Sequence, residues 1–180
     1  YYMISTTMHF CPGAQILSSK DLLYWKHESY VYDYLEETDA RRLLTNEHIY
    51  GKGMWAASLR YHRGVFYVCF VANDTHKTYL YKSHSINGPW VMNEIKGFYH
   101  DCSLLFEDEK CYIVYGNKQI YITELNEQLT GPKEFGLHKM IIEDTANVRL
   151  GYEGSHLYKI NNKYYLFFIH WPNTGTARRT

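Results

Sequence analysis

Three residues whose side chains could do chemistry, Trp55, Asp101 and Glu153, occupy equivalent places in a repeated pattern. Each opens a segment with a serine two or three residues on, followed by apolar strand-forming residues. A tyrosine of the next predicted strand follows the opening residue by 12, 11 and 12 residues, respectively. Two carboxylates and an indole that face one cavity could cleave a glycosidic bond. The acids would handle leaving-group protonation and water activation, and the indole would offer an apolar face to a sugar ring.

Strands must position these residues, and the sequence predicts them in groups of four. Apolar and aromatic runs separated by polar turns recur, with opening residues 46 and 52 residues apart. The strands of the two complete groups are predicted at Trp55–Leu59, Phe66–Phe70, Thr78–Tyr81 and Val91–Ile95, and at Asp101–Leu105, Cys111–Tyr115, Gln119–Thr123 and Phe135–Ile142. Four-stranded groups with this period are typical of β-propeller blades, so an all-β propeller is predicted.

The two ends of the sequence carry incomplete groups. The first group lacks an opening strand, and its other strands are predicted at Tyr1–Thr6, Gln15–Ser19 and Ser29–Tyr32. The last group has two strands, at Glu153–Leu157 and Tyr164–Phe168, and Gly175–Thr180 is where a third would begin. The polar stretch Tyr34–Gly53 is predicted as a long loop between blades with one helical turn. About three and a half blades cannot close a ring, so we expect residues 1–180 to be part of a larger propeller.

In a propeller the first strand of every blade lines the central axis, so equivalent positions at its start converge on one mouth of the channel. Trp55, Asp101 and Glu153 hold that position. A simpler explanation exists for each carboxylate taken alone, since Asp101 would be a turn residue and Glu153 a solvated loop residue. Their shared position in the repeat favours a common function over that explanation.

Composition limits the partners of the chain. Nineteen basic residues balance nineteen acidic ones among the 180 residues, without the basic excess that a nucleic-acid partner normally requires. No apolar run approaches the ~20 residues of a membrane span, so no membrane partner is expected. Aromatic residues make up 17% of the sequence, which suits a neutral ligand such as an oligosaccharide. The oligomeric state stays open.

The four cysteines, Cys11, Cys69, Cys102 and Cys111, show no CxxC or metal-finger spacing. No cluster of His, Asp and Cys has metal-ligand spacing either, so neither a metal site nor a cofactor is predicted. Cys69 and Cys111 lie in apolar runs, where cysteine usually acts as a small hydrophobic residue. A disulfide framework is therefore disfavoured. This slightly favours a cytoplasmic location for the protein and leaves a secreted location open.

The sequence resembles glycoside hydrolase family 43, the five-bladed β-xylosidases and α-L-arabinofuranosidases, over essentially all of its length. The segments that carry the resemblance are Tyr1–Phe10 with Pro12 and Gly13, Ser19–Leu22, Trp55–Ser58, His100–Phe106 and Glu153–Lys159. The resemblance implies that Glu153, in a Glu-Gly-x-His motif, is the general acid. It also implies that Asp101, which matches the Asp of an Asp-Pro-Ser motif, orients that acid and modulates its pKa.

The family's catalytic base is a further aspartate on the first strand of the first blade, and no residue of this sequence matches it. Counting back from Tyr2 by the repeat offset places that position about ten residues before Tyr1. The family's channel cation is held by later blades, which this sequence does not contain. Ala57 and Cys102 replace two prolines of the family motifs. This frees φ and restores a backbone N–H, but it removes no catalytic group.

Weaker candidates for the substrate site come from the same resemblance. Met8 and Phe10 lie where the family places an apolar wall against the non-reducing sugar, although a place in the core is an equal alternative. Arg178, or its neighbour Arg179, could bind a sugar hydroxyl at the mouth, although a plain surface pair is the commoner outcome. His100 flanks Asp101, and strand alternation points the imidazole to the opposite side, which indicates a structural role.

The leading hypothesis is an exo-acting glycoside hydrolase that removes terminal xylose or arabinose from hemicellulose-derived oligosaccharides by inverting acid–base hydrolysis. The alternative is a non-catalytic propeller that binds carbohydrate or a protein partner. Two acids at one mouth favour the enzyme, because a binding module has no need of them. Since residues 1–180 would be only part of the catalytic domain, we expect this chain to be inactive by itself.

Overall fold

A computed structural model describes residues 1–146 and 148–174 of the chain. They contain thirteen β-strands and one short helix, α1 (Asp39–Arg42), in agreement with the all-β expectation. The strands are β1 (Tyr2–Ser5), β2 (Gly13–Ser18), β3 (Lys26–Tyr32), β4 (Met54–His62), β5 (Val65–Ala72), β6 (Lys77–Ser83), β7 (Val91–Ile95), β8 (Ser103–Glu107), β9 (Lys110–Asn117), β10 (Gln119–Glu124), β11 (His138–Glu143), β12 (Val148–Ile160) and β13 (Lys163–Pro172).

The strands form four sheets that correspond to the four predicted groups. Sheet 1 contains β1–β3, sheet 2 contains β4–β7, sheet 3 contains β8–β11 and sheet 4 contains β12 and β13. Strands that are consecutive in sequence are neighbours in every sheet. Short turns make this order possible. For example, Asn161 and Asn162 join β12 to β13 with positive φ angles of 49° and 64°, the backbone that a type I′ hairpin turn requires.

The first compact unit of the chain, Tyr1–Glu94, contains sheet 1 and nearly all of sheet 2. Its core is formed by buried side chains of both sheets, including Ile16 of β2, Met54 of β4, Phe70 of β5 and Tyr79 of β6. The apolar sequence of β5 follows from this packing, because most of its residues are buried. Met54 anchors the beginning of β4 directly before the candidate residue Trp55.

The second compact unit, Ile95–Thr180, contains sheets 3 and 4. Strand β12 of sheet 4 packs against β8, β9 and β10 of sheet 3. Leu105, Val114, Ile120 and Leu157 form a buried cluster between them. This packing brings the strand that contains Glu153 beside the strand that follows Asp101.

In the second compact unit, β8, β11 and β12 begin two or more residues away from the positions indicated by the sequence. β8 begins at Ser103 because Asp101 has a φ of 48°, which does not continue a strand. β11 begins at His138 rather than at Phe135, which has a φ of 55° and is 99% exposed. β12 begins at Val148, ahead of Glu153, and its pairing with β13 shifts register on both sides of Glu153.

The loop Tyr34–Gly53 contains the helical turn predicted for it. Thr38 caps α1 because its Oγ1 accepts a hydrogen bond from Arg41 N–H at 3.2 Å. Leu43 ends the helix in the left-handed conformation.

Within the described ranges, no helix has the length and apolar character needed to span a membrane. Gly175–Thr180, where a third strand of the last group was expected, lies outside the described residues.

Candidate active site

The Asp101 carboxylate is hydrogen-bonded to the backbone of the residue that follows Glu153. Its Oδ2 accepts a hydrogen bond from Gly154 N–H at 3.0 Å. The carbonyl oxygen of Asp101 accepts a second hydrogen bond from Ser155 Oγ at 3.3 Å. The Asp101 side chain is only 11% exposed, so water competes little for these contacts. Both bonds fix the residues that directly follow Glu153, and Asp101 therefore sets the direction of the chain at that carboxylate.

The repeated serines explain why the opening segments of two groups lie side by side. Ser155 Oγ donates to the Asp101 carbonyl, and Ser103 Oγ accepts a hydrogen bond from Leu157 N–H at 3.2 Å. Ser103 and Ser155 are both fully buried, and each side chain therefore uses the partner strand to satisfy its hydroxyl. The serine two residues after each carboxylate is thus a structural link between β8 and β12.

Glu153 lies where the β12–β13 ladder is irregular. Register shifts occur between Leu150 and Glu153 and between Glu153 and His156, and Gly154 has a φ of 67°. Irregularities of this kind re-aim side chains next to functional sites. The Glu153 side chain is 14% exposed, and its Oε2 accepts a hydrogen bond from Asn117 Nδ2 at 2.9 Å.

His100 lies between the two carboxylates, and the prediction that it points away from Asp101 is wrong. Its Nε2 is 3.7 Å from Asp101 Oδ2 and 3.6 Å from Glu153 Oε2. Strand alternation does not apply here, because Asp101 has a positive φ and β8 begins only at Ser103. The imidazole therefore belongs to the same site as the acids.

His100, Asp101 and Glu153 also form the kind of donor set that could hold a metal ion. One ligand atom from each residue lies within 4.8 Å of the other two. The sequence predicted no such cluster because Glu153 is far from the other two residues along the chain. A cation held there would occupy both carboxylates and withdraw them from acid–base chemistry.

The other predicted site residues of the described chain belong to the first compact unit. Trp55, at the beginning of β4, is half-buried, and its indole N–H donates to the Gly51 carbonyl at 3.4 Å. Phe10 is 67% exposed, which excludes the core as its place. Met8 is also exposed, and its carbonyl accepts from Met54 N–H at 3.0 Å. Arg178 and Arg179 lie outside the described residues.

The structure thus brings together Asp101 and Glu153 and adds two residues that the sequence did not single out for chemistry. His100 was assigned a structural role, and Asn117 was not considered. Asn117 is the last residue of a second strand, whereas the repeat analysis compared only the residues that open first strands. Its position at the end of an apolar run and before a turn was the signal available in the sequence.

Comparison with known proteins assigns a family to this arrangement. The sequence model of the family described as glycosyl hydrolases family 43 matches residues 1–178. The chain belongs to this family. Glycosyl hydrolases of family 43 fold as five-bladed β-propellers, and the four sheets described here are part of such a propeller, as the sequence predicted.

Two relatives of this family 43 chain have names that state the sugar they release. A β-xylosidase of Formosa agariphila is 31% identical over 186 residues, which cover 95% of this chain and 31% of that protein. A non-reducing end α-L-arabinofuranosidase of Bacteroides ovatus is 28% identical, with 92% of this chain and 31% of that protein covered. The chain therefore spans about a third of the length of these two relatives.

Solved structures agree with the family assignment. The bifunctional GH43-CE protein of Bacteroides eggerthii superposes with a TM-score of 0.92 and is 42% identical. The alignment covers 97% of this chain and 23% of that one. The family 43 fold accordingly extends over nearly the whole of the present chain.

Proposed function

We propose that this chain is the part of a family 43 exo-glycosidase that contains the general acid, Glu153, and its positioning partner, Asp101. Residues 1–180 would form part of one catalytic domain within a protein of the relatives' length, which we call the full-length enzyme. The observation that carries the proposal is the hydrogen bond from Gly154 N–H to Asp101 Oδ2, which couples one carboxylate to the backbone of the other.

In the proposed reaction, Glu153 donates its proton to the glycosidic oxygen while the bond from this oxygen to the anomeric carbon breaks. The electron pair of that bond goes to the leaving alcohol. Water attacks the anomeric carbon from the opposite face and loses a proton to a catalytic base. A single displacement of this kind inverts the configuration of the released sugar.

Asp101 is not the base in this proposal. Inverting glycosidases keep their two carboxyl groups roughly 6.5–9.5 Å apart so that a water fits between them. One side-chain oxygen of Asp101 lies within 4.8 Å of one side-chain oxygen of Glu153, and Asp101 Oδ2 accepts a hydrogen bond from Gly154 N–H. The base is assigned to an aspartate that has no match in this sequence, and the 180-residue chain alone is proposed to be inactive.

The proposed substrate is a hemicellulose-derived oligosaccharide that ends in xylose or arabinose. The names of the two relatives, a β-xylosidase and an α-L-arabinofuranosidase, support these sugars. The exposed Phe10 ring and the half-buried Trp55 ring could cover apolar faces of a sugar. Met8 and Arg178 are proposed as further substrate contacts.

The test is hydrolysis of an aryl β-D-xylopyranoside and an aryl α-L-arabinofuranoside by the full-length enzyme, with the first-formed anomer identified by NMR. Release of either sugar with inverted configuration is the expected result. A full-length protein that binds xylo-oligosaccharides but releases neither sugar would refute the proposal and favour the non-catalytic propeller. A first product with retained configuration would refute the inverting mechanism and make Asp101 a candidate nucleophile.

A further inference from the structure

A tight turn links the two segments that contain the acids. Gly116 N–H donates to the His100 carbonyl at 3.0 Å, and Lys118 N–H donates to the Tyr152 carbonyl at 2.8 Å. His100 directly precedes Asp101, and Tyr152 directly precedes Glu153. The turn between β9 and β10 is therefore attached to the backbone on the N-terminal side of both carboxylates, with Asn117 between the two attachment points.

Two glycines allow this close approach. Gly116 has a φ of 141°, and a Cβ at this residue would lie 2.0 Å from the Gln119 carbonyl oxygen. A Cβ at Gly151 of β12 would lie 2.9 Å from Lys118 Cα. Both distances are far below van der Waals contact. A side chain at Gly116 would therefore distort the β9–β10 turn itself, and one at Gly151 would push the turn away from β12. The backbone is thus arranged to hold Asn117 against Glu153.

The Asn117 side chain completes the link with a directed hydrogen bond. Its Nδ2 lies 2.9 Å from Glu153 Oε2. An amide nitrogen only donates, so Oε2 must accept in this contact whether the carboxyl group is ionised or protonated. In the protonated carboxyl group the carbonyl oxygen is a better acceptor than the hydroxyl oxygen, so this contact favours the acidic proton on Oε1. His100 Nε2 lies farther from Oε2, at 3.6 Å, and Asp101 Oδ2 is the other titratable neighbour.

We propose that Asn117 is a positioning residue of the glycosidase, which holds Oε2 of Glu153 and makes Oε1 the oxygen that delivers the proton. This inference rests on the proposed role of Glu153 as general acid. When the proton passes from Oε1 to the glycosidic oxygen, the carboxylate that remains keeps its hydrogen bond from Asn117. Because a hydrogen bond to a charged acceptor is stronger than one to a neutral acceptor, the contact strengthens as the proton leaves.

The test compares Asn117→Ala with Gln119→Ala in the full-length enzyme. Gln119 begins the second strand of the same hairpin, and its Nε2 donates to Glu143 Oε1 of β11 at 2.8 Å, an exposed hydrogen bond that involves neither Asp101 nor Glu153. Substrates are a xylo-oligosaccharide, whose leaving group needs protonation, and a dinitrophenyl xyloside, whose leaving group does not. We expect Asn117→Ala to lower kcat on the oligosaccharide by about 10- to 100-fold, with little change in KM. Activity on the dinitrophenyl substrate and both activities of Gln119→Ala stay close to the parent.

An equal loss on both substrates, or no loss on either, would refute the role of Asn117. Asn117→Asp keeps the shape of the side chain while removing the donor, and it should show the same preference for the good leaving group. Glu153→Ala serves as the reference. If Glu153→Ala shows no dependence on the leaving group, the proposed function fails. If Glu153→Ala shows it and both Asn117 variants do not, only the inference about Asn117 fails.

Discussion

Asp101 contacts Glu153 through the backbone, because its Oδ2 accepts the N–H of Gly154, the residue after the proposed acid. The two carboxylates are 52 positions apart in the sequence, and Asp101 lies just before sheet 3 whereas Glu153 belongs to sheet 4. A residue that holds its partner's main chain can be tested separately for its charge and for its hydrogen bond, since asparagine keeps an acceptor oxygen while losing the charge.

Asp101→Asn in the full-length enzyme is expected to lower kcat more than it raises KM, because substrate contacts stay in place while the acid is altered. The asparagine side chain keeps an oxygen that can accept from Gly154 N–H, so the variant removes the charge without removing this acceptor. The pH–rate profile of the variant should therefore differ from that of the parent. The measurement is kcat against pH for parent and variant, and superimposable profiles would exclude a charge effect of Asp101.

Glu153→Ala is expected to remove the proton donor without removing the water-activating base. Hydrolysis of oligosaccharides with poor leaving groups should fall by about 10²–10⁴-fold, the range typical of general acid catalysis. Hydrolysis of dinitrophenyl glycosides should fall by less than about 10-fold, since their leaving groups need little protonation. The measurement is the hydrolysis rate of one enzyme preparation on both substrate types. Equal losses on the two types would contradict the assignment of Glu153 as the general acid.

The repeat in the sequence was sufficient to place four groups of strands and the two acids. The distance from each opening residue to the tyrosine of the next strand is 11 or 12 residues in all three groups, because the chain passes through one strand and one turn between them. The serines that recur after Asp101 and Glu153 form the hydrogen bonds that join the two opening segments. A local pattern predicts these features because the spacing from opening segment to turn to second strand repeats from group to group.

The parts that were mispredicted depend on backbone irregularities and on contacts distant in sequence. The positive φ of Asp101 turned His100 toward the acids, whereas alternation assumes a regular strand. Strand β12 begins at Val148, five residues before Glu153, and its pairing with β13 is irregular on both sides of Glu153. Asn117 reaches Glu153 only because the β9–β10 turn is bonded to β12, a relation that neither segment reveals by itself.

Glu124 supplies a pH-dependent test of the second compact unit. Its side chain is 6% exposed, and its Oε1 lies 2.8 Å from Lys133 Nζ and 3.8 Å from Lys110 Nζ. The hydrogen bond from Lys133, assisted by Leu137 N–H, holds the pKa of Glu124 below its usual range. The unfolded chain therefore binds a proton more readily than the folded one, and the stabilisation is lost as pH falls below about 4.3.

We expect Glu124→Gln to lower the Tm by a few degrees at pH 7, where the parent is ionised and paired with Lys133. The difference should shrink as pH is lowered through the folded-state pKa of Glu124, because the parent then loses the same charge. Glu134→Gln, at an exposed position of the loop between β10 and β11, is the control and should change the Tm little at either pH. A Tm difference that is constant from pH 7 to pH 3.5 would show that the Glu124 charge does not contribute.

The last prediction concerns the residue that activates water. Within the acid pair, Asp101 is too close to Glu153 to leave room for the attacking water of an inverting enzyme, and its oxygen is already engaged by Gly154 N–H. The chain spans about a third of the length of its two named relatives, so most of such an enzyme lies outside these residues.

We therefore expect the 180-residue chain, purified alone, to hydrolyse an aryl xyloside at less than about one-hundredth of the rate of the full-length enzyme, because the proposed base has no match in its sequence. Both proteins are assayed side by side, with circular dichroism to establish that the short chain keeps its β structure. Adding azide, a nucleophile that needs no base, should restore turnover by a folded short chain only if the base is what it lacks. A short chain that turns over near the full-length rate without azide would place the base among residues 1–180 and overturn the assignment of Asp101 as a residue that acts on Glu153 alone.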